Sequence, residues 1–186
     1  MGFLAELWMP ILLSSVFVFA ASSVIHMALK YHKNDFKKLP NEDGVMDALR
    51  AFNIPPGDYH MPMCESPEAM KSPEMMEKLK RGPVALLTML PSGPFNMGKS
   101  LSQWFLYIVL VEIFAAYLGY HTVATGTPYL GVFRVVGCAA FMGFGLAQIP
   151  NSIWYMRDWG ATVRMVFDAL IYGLVTAGTF GWLWPQ

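Results

Sequence analysis

Four stretches of this chain are long and apolar enough to cross a lipid bilayer, and no other feature constrains its fold as tightly. They are Phe3 to Leu29, Leu101 to Thr122, Tyr129 to Pro150 and Ala161 to Trp184. A spanning helix needs about 20 mostly apolar residues at a rise of about 1.5 Å each. Hydrocarbon holds no water to take up backbone N–H and C=O groups, so each stretch must satisfy its own backbone as a helix. The expected fold is an all-α integral membrane protein. Segments 1–29, 101–122, 129–150 and 161–184 form a four-helix bundle, and 30–100 is a large polar loop carrying short amphipathic helices. The connections 123–128 and 151–160 are short, so helices two, three and four run up, down and up.

Composition agrees. The chain is 55% apolar and 14% charged, against about 25% charged in an ordinary soluble domain. Its 13 Lys+Arg and 13 Asp+Glu cancel, which leaves no basic excess to hold a phosphate backbone. The bilayer is therefore the expected partner and nucleic acid is not. The two cysteines, Cys64 and Cys138, lie in a polar and an apolar segment respectively and can build neither a disulfide framework nor a four-ligand zinc site.

The first segment resembles a secretory signal only in Val18-Phe19-Ala20. Its amino end carries Glu6 and no Lys or Arg, and its apolar run is longer than a signal's, so it is read as a permanent helix. Lys30, Lys33, Lys37, Lys38, Arg81, Lys99 and Arg157 all fall on one side of the four segments, and the other side has no Lys or Arg. The positive-inside rule then puts the 30–100 loop in the cytoplasm and both termini outside, as in a bacterial inner membrane. Trp8, Trp182 and Trp184 fall at the outer ends and Trp104, Trp154 and Trp159 at the inner ends, where an amphipathic ring prefers the headgroup level.

Within the loop, Asn41 is a cap for a helix bearing Val45, Met46, Leu49 and Phe52, stopped by Pro55-Pro56-Gly57. Ser72-Pro73-Glu74 opens a second helix, ended by Gly82-Pro83. The apolar run Pro83 to Pro91 is too short to span and is assigned to the membrane interface or the underside of the bundle.

Ionisable groups inside the apolar segments are the first candidates for chemistry, because each costs several kcal/mol unless paired or wetted. Arg164 and Asp168 stand four apart on helix four and can pair within it. Glu112 of helix two and Arg134 of helix three differ in depth by roughly 7 Å, which an Arg side chain can bridge. Paired charges fixing helix register are the preferred reading; a proton or ion path through Glu112 and Asp168 is the alternative. Ribbons of small residues at four-residue spacing, Ala169, Gly173, Ala177 and Gly181 on helix four and Ala139, Gly143 and Ala147 on helix three, mark close helix contact.

Tyr59-His60-Met61-Pro62-Met63-Cys64 gathers imidazole, thioether and thiol, a set soft enough for Cu(I). The loop holds eight of the 14 methionines. Without regular ligand spacing, His60, Met61, Met63 and Cys64 are read first as packing residues and second as a copper site. His26 and His32 flank the inner end of helix one and could ligate a metal or haem, although lone histidines are commonly interfacial. No phosphate loop, Gly-x-Ser-x-Gly elbow, His-Glu-x-x-His or Cys-x-x-Cys is present. The expectation is a non-catalytic accessory subunit of a larger membrane assembly, with no cofactor. A small transporter and a copper-handling protein are the alternatives.

Overall fold

The computed structural model describes residues 2–186, so the first residue of the predicted 1–29 segment lies outside it. The chain is mostly helical and contains four helices long and apolar enough to cross a membrane: Trp8–Ala28, Met97–Thr122, Tyr129–Trp154 and Trp159–Leu183. It divides into two compact units. One takes in the N-terminal segment to Lys37 together with Asn96–Gln186, and the other is Lys38–Phe95.

In the first unit, α1 (Gly2–Glu6) leads into α2 (Trp8–Ser23). The break at Leu7 follows from Pro10, whose ring offers no N–H to the Glu6 carbonyl and crowds it. The residues after α2 widen into a π-helical turn, Val24–Ala28, and then a 3-10 turn, Lys30–His32. α5 of this unit (Met97–Thr122) opens on Asn96, whose side chain accepts from the Lys99 N–H at 3.0 Å. A later helix, α8 (Trp159–Leu183), opens in the same way on Asp158, which accepts from Ala161 at 2.9 Å. Both caps lie outside the apolar stretches, which is why these helices begin before the hydrophobic pattern does. Between them, α6 (Tyr129–Gly145) tightens through Leu146–Gln148 into α7 (Ile149–Trp154). Pro150 lacks the N–H that would bond back four residues.

The tightest contact in the unit is α6 against α8. A Cβ on Gly173 would lie 3.1 Å from Phe141 Cβ and 3.2 Å from the Gly137 carbonyl, and one on Gly137 would lie 2.6 Å from Ala177 Cβ. Ala169 meets Gly145, and Gly181 meets the Tyr129 ring. On α6, therefore, Gly137 and Gly145 face α8, while Gly143 of the Ala139, Gly143, Ala147 run faces Val111 of α5 and Ala147 is exposed. At about 100° per residue, Gly143 lies about 120° around α6 from Gly137 and about 160° from Gly145, and so serves a different neighbour.

The second unit holds α3 (Glu42–Arg50), β1 (Gly57–Met61), α4 (Pro73–Arg81) and β2 (Ala85–Met89). Ser72 caps α4 by accepting from Met75 N–H at 3.2 Å, whereas Asn41 precedes α3 in a left-handed conformation and makes no side-chain cap. The short apolar run Pro83 to Pro91 carries a strand. β2 pairs antiparallel with β1 in the register Gly57 to Met89, Tyr59 to Leu87 and Met61 to Ala85, and Thr88 Oγ1 donates to Asp58 Oδ1 at 2.7 Å. Its alternating burial supplies the period of two that sheets require. Pairing with a partner so distant in sequence leaves no local signal.

Candidate metal centre

The π-helical turn that closes the first long helix carries His26, with the Leu29 N–H donating to the Val24 carbonyl at 3.1 Å. Such wide turns recur at functional sites because they rotate a side chain off the regular helical position. Leu29 is extended, and the next turn brings Tyr31 and His32 onto α8 at Asp168. His32 Nε2 lies 2.8 Å from Asp168 Oδ2, His26 Nε2 lies 3.9 Å from the same oxygen, and the Tyr31 hydroxyl donates to Asp168 Oδ1. One ligand atom each from His26, His32 and Asp168 falls within 4.8 Å of the others.

A second layer holds this group in place. His32 Nδ1 is 2.7 Å from Asp35 Oδ2, and Arg164 Nε donates to Asp35 Oδ1 at 2.7 Å. With Asp35 accepting the Nδ1 proton, His32 turns Nε2 to the point shared with Asp168 and His26, where it donates to Asp168 Oδ2 when protonated and can ligate a metal once that proton is released, as carboxylate-backed histidine ligands do. Burial pushes the Asp35 carboxyl up, but hydrogen bonds from His32 and Arg164, with the Arg164 charge, outweigh it and hold the group below its ordinary value. Burial, and then the bond to Asp168, push the Tyr31 phenol up. The Asp168 side chain is 4% exposed and that of His26 50%, so the carboxylate is enclosed while one imidazole reaches the surface.

Two imidazole nitrogens and a carboxylate oxygen suit Zn2+ and related divalent transition metals. Three protein ligands leave a coordination position for water or another donor, and the half-exposed His26 edge is where it would enter.

Several residues chosen from sequence take other places. Arg164 does not pair with Asp168. Tyr31 and His32 occupy that carboxylate, and Arg164 turns to Asp35 and, at 3.8 Å, to Asp158 on the rim. Glu112 and Arg134 do not meet. Glu112 is fully buried with Oε1 2.6 Å from Thr176 Oγ1 of α8, whereas Arg134 is exposed on the flank of α6 beside Phe133 and Cys138. Successive residues of a strand point to opposite faces, so His60 and Met61 of β1 diverge, and His60 Nδ1 is taken by the Pro62 carbonyl at 2.8 Å. Met63 is exposed and Cys64 is a half-buried free thiol.

Tyr31 and Asp35 carry no sequence motif. The available signal was an aspartate three residues after His32, together with a second histidine six residues before it. Compared with known protein families, with curated proteins and with solved structures, the chain matches none.

Proposed function

We propose that the chain is a multi-pass integral membrane protein that binds a divalent transition-metal ion through His26, His32 and Asp168. What carries this reading is the convergence of three ligand atoms from the end of the first long helix, the turn that follows it and α8, with Asp35 backing one of the imidazoles. Hydrogen-bonded polar groups inside a bundle need only partners; two imidazoles and a carboxylate aimed at one point also match a metal's donor set. In the topology we propose, the Lys-rich side, with the 30–100 loop, is cytoplasmic and both termini are outside, which puts the centre at the cytoplasmic end of the bundle.

The test is metal content. Protein purified in mild detergent, stripped with a chelator and returned to Zn2+, is expected to retain one equivalent per chain by elemental analysis after desalting. The double variant His26→Ala, His32→Ala is expected to retain none. Equal retention by the two proteins refutes the proposal.

A second reading, an accessory subunit of a larger membrane assembly, is favoured by Arg134. It is exposed, forms no ion pair among the described residues and borders an apolar groove of about 250 Å3 between α6 and α8, lined by Phe141, Leu170 and Leu174. An acidic group on a neighbouring subunit would complete it. Co-purification of a stoichiometric partner that is lost in Arg134→Ala supports this, and an isolated monomer in mild detergent counts against it.

A further inference from the structure

Glu112 stands apart from the metal centre. It lies fifteen residues into α5, about 22 Å along the helix from its start at Met97. Its side chain is wholly enclosed, and its Oε2 has no hydrogen-bond partner among the described residues. Its closest partner is Thr176 Oγ1, 2.6 Å from Oε1, and that hydroxyl is also 2.9 Å from the Tyr172 carbonyl; the Ser14 hydroxyl of α2 is within its reach as well.

A threonine hydroxyl has one proton to give and two acceptors here. If Glu112 is anionic, each hydroxyl that serves it must leave a backbone carbonyl, Thr176 that of Tyr172 and Ser14 that of Ile11, and the enclosed charge is held by shared donors alone. If Glu112 carries a proton, its O–H donates to Thr176 Oγ1 and Thr176 donates on to Tyr172, so each group in the chain is served. No cation is at hand to favour the anion. α2 has no ionisable residue; its Ser14 and Ser15 hydroxyls donate to the Ile11 carbonyl, and Ser14 also reaches the Glu112 carboxyl. On α6, Arg134 and Cys138 are exposed, and on α1 Glu6 is bonded to Tyr120 near the opposite end of α5. α8 contributes Tyr172 and, two turns from Thr176, Asp168.

The neighbours along α8 give this carboxyl a direction. Asp168, Tyr172 and Thr176 recur every four residues, forming a buried polar line about 12 Å long on one face of α8. At one end the Tyr172 hydroxyl is 3.5 Å from His26 Nε2, which reaches the surface. At the other end the next position, Phe180, is apolar and fully buried, and Leu7, Val132 and Val136 are buried with it. We propose that Glu112 is a proton-binding site that exchanges with water at the His26 end of the bundle, on the polar face that Asp168, Tyr172 and Thr176 give α8, and is closed to the opposite side. The site does not require metal at the His26 centre.

Dicyclohexylcarbodiimide, an apolar reagent that adds to carboxylic acids but not to carboxylates, reads this directly in the wild-type protein. In membrane vesicles of either orientation, mass spectrometry is expected to find the N-acylurea on the α5 peptide containing Glu112. That adduct is expected to be absent in Glu112→Gln. Raising the pH on the His26 side lowers labelling by about tenfold per unit once the carboxyl titrates, and raising it on the other side alone leaves labelling unchanged. Thr176→Val, which removes the hydroxyl joining Glu112 to α8, slows the response to a pH step. No adduct at Glu112, labelling indifferent to pH, or a response to the opposite side would overturn the proposal.

Discussion

Asp168→Asn is the substitution that separates metal binding from folding. The wild-type carboxylate accepts the Tyr31 hydroxyl and lies 2.8 Å from His32 Nε2. Asparagine keeps an oxygen for Tyr31, and its amide N–H can donate to the Nε2 lone pair that His32 has when only Nδ1, held by Asp35, is protonated. The Tyr31 bond is kept, the His32 contact reverses its donor, and the anionic metal donor is lost. Removing an outer partner of a metal ligand typically costs about 10–100-fold in affinity, and removing a ligand itself is expected to reach at least the upper figure. With Zn2+ at roughly 100 times the wild-type Kd, binding stabilises the wild type by about 2.7 kcal/mol. The variant, weakened about 100-fold, gains only about 0.4 kcal/mol. The difference of about 2.3 kcal/mol corresponds to about 5–9 °C in melting temperature for a chain of this size. Thermal unfolding in detergent, with Zn2+ and with chelator, measures it. Each protein is compared with itself in chelator, which takes out the change in the His32 contact, and only the wild type should rise strongly with Zn2+. Equal rises, or none in either, would refute the assignment of Asp168 as a ligand.

Gly173→Leu and Gly137→Leu drive a side chain into backbone and Cβ atoms 2.6 to 3.2 Å away and should separate α6 from α8. Overpacking costs about 1–3 kcal/mol even where a core can adjust. Gly178→Ala meets only the Tyr129 hydroxyl at 3.5 Å and should be neutral, as size-exclusion profiles and melting will show. Asp35, held below its ordinary value of 3.8, contributes stability that is complete above that value and is lost as pH falls through the lower folded one. Melting of the wild type should therefore approach that of Asp35→Asn as pH drops from about 5 to about 3. Cys64 should react with an impermeant thiol reagent only from the Lys-rich side, in a Cys138→Ser background; labelling from outside intact cells would invert the topology proposed above.

The four long helices were legible because hydropathy over twenty residues is a property of the segment alone. The capped starts at Asn96 and Asp158 lay outside that signal but followed known cap chemistry. What could not be read was the rotation of each helix. Spacing correctly put Arg164 and Asp168 on one face, yet it could not show that Tyr31 and His32 reach that face first and leave Arg164 to Asp35. Depth alone suggested that Glu112 could meet Arg134, but Glu112 is buried inside the bundle and Arg134 is exposed on its outside. His26 and His32 were visible as residues and invisible as a pair, because the π-helical turn and the extended Leu29 between them have no sequence signature. The strand pairing of Gly57–Met61 with Ala85–Met89 was hidden for the same reason: its cause is a partner far away in the chain.

α8 links packing to chemistry through an offset of one residue. Ala169, Gly173 and Ala177 recur every four residues and lock against α6, while Asp168, Tyr172 and Thr176 recur at the same spacing one position earlier, about 100° around the helix. Both stripes therefore drift around α8 together and stay in phase over its length. Seating the small stripe against Gly137 and Phe141 leaves no freedom to rotate, since a turn of one residue would set a Tyr or Thr side chain against the α6 backbone. The same turn would carry Asp168 away from His32 and Tyr31. The close contact with α6 thus fixes the rotation at which the polar stripe meets the two histidines at one end and Glu112 at the other, so glycines that touch no ligand atom determine whether the ligand atoms converge.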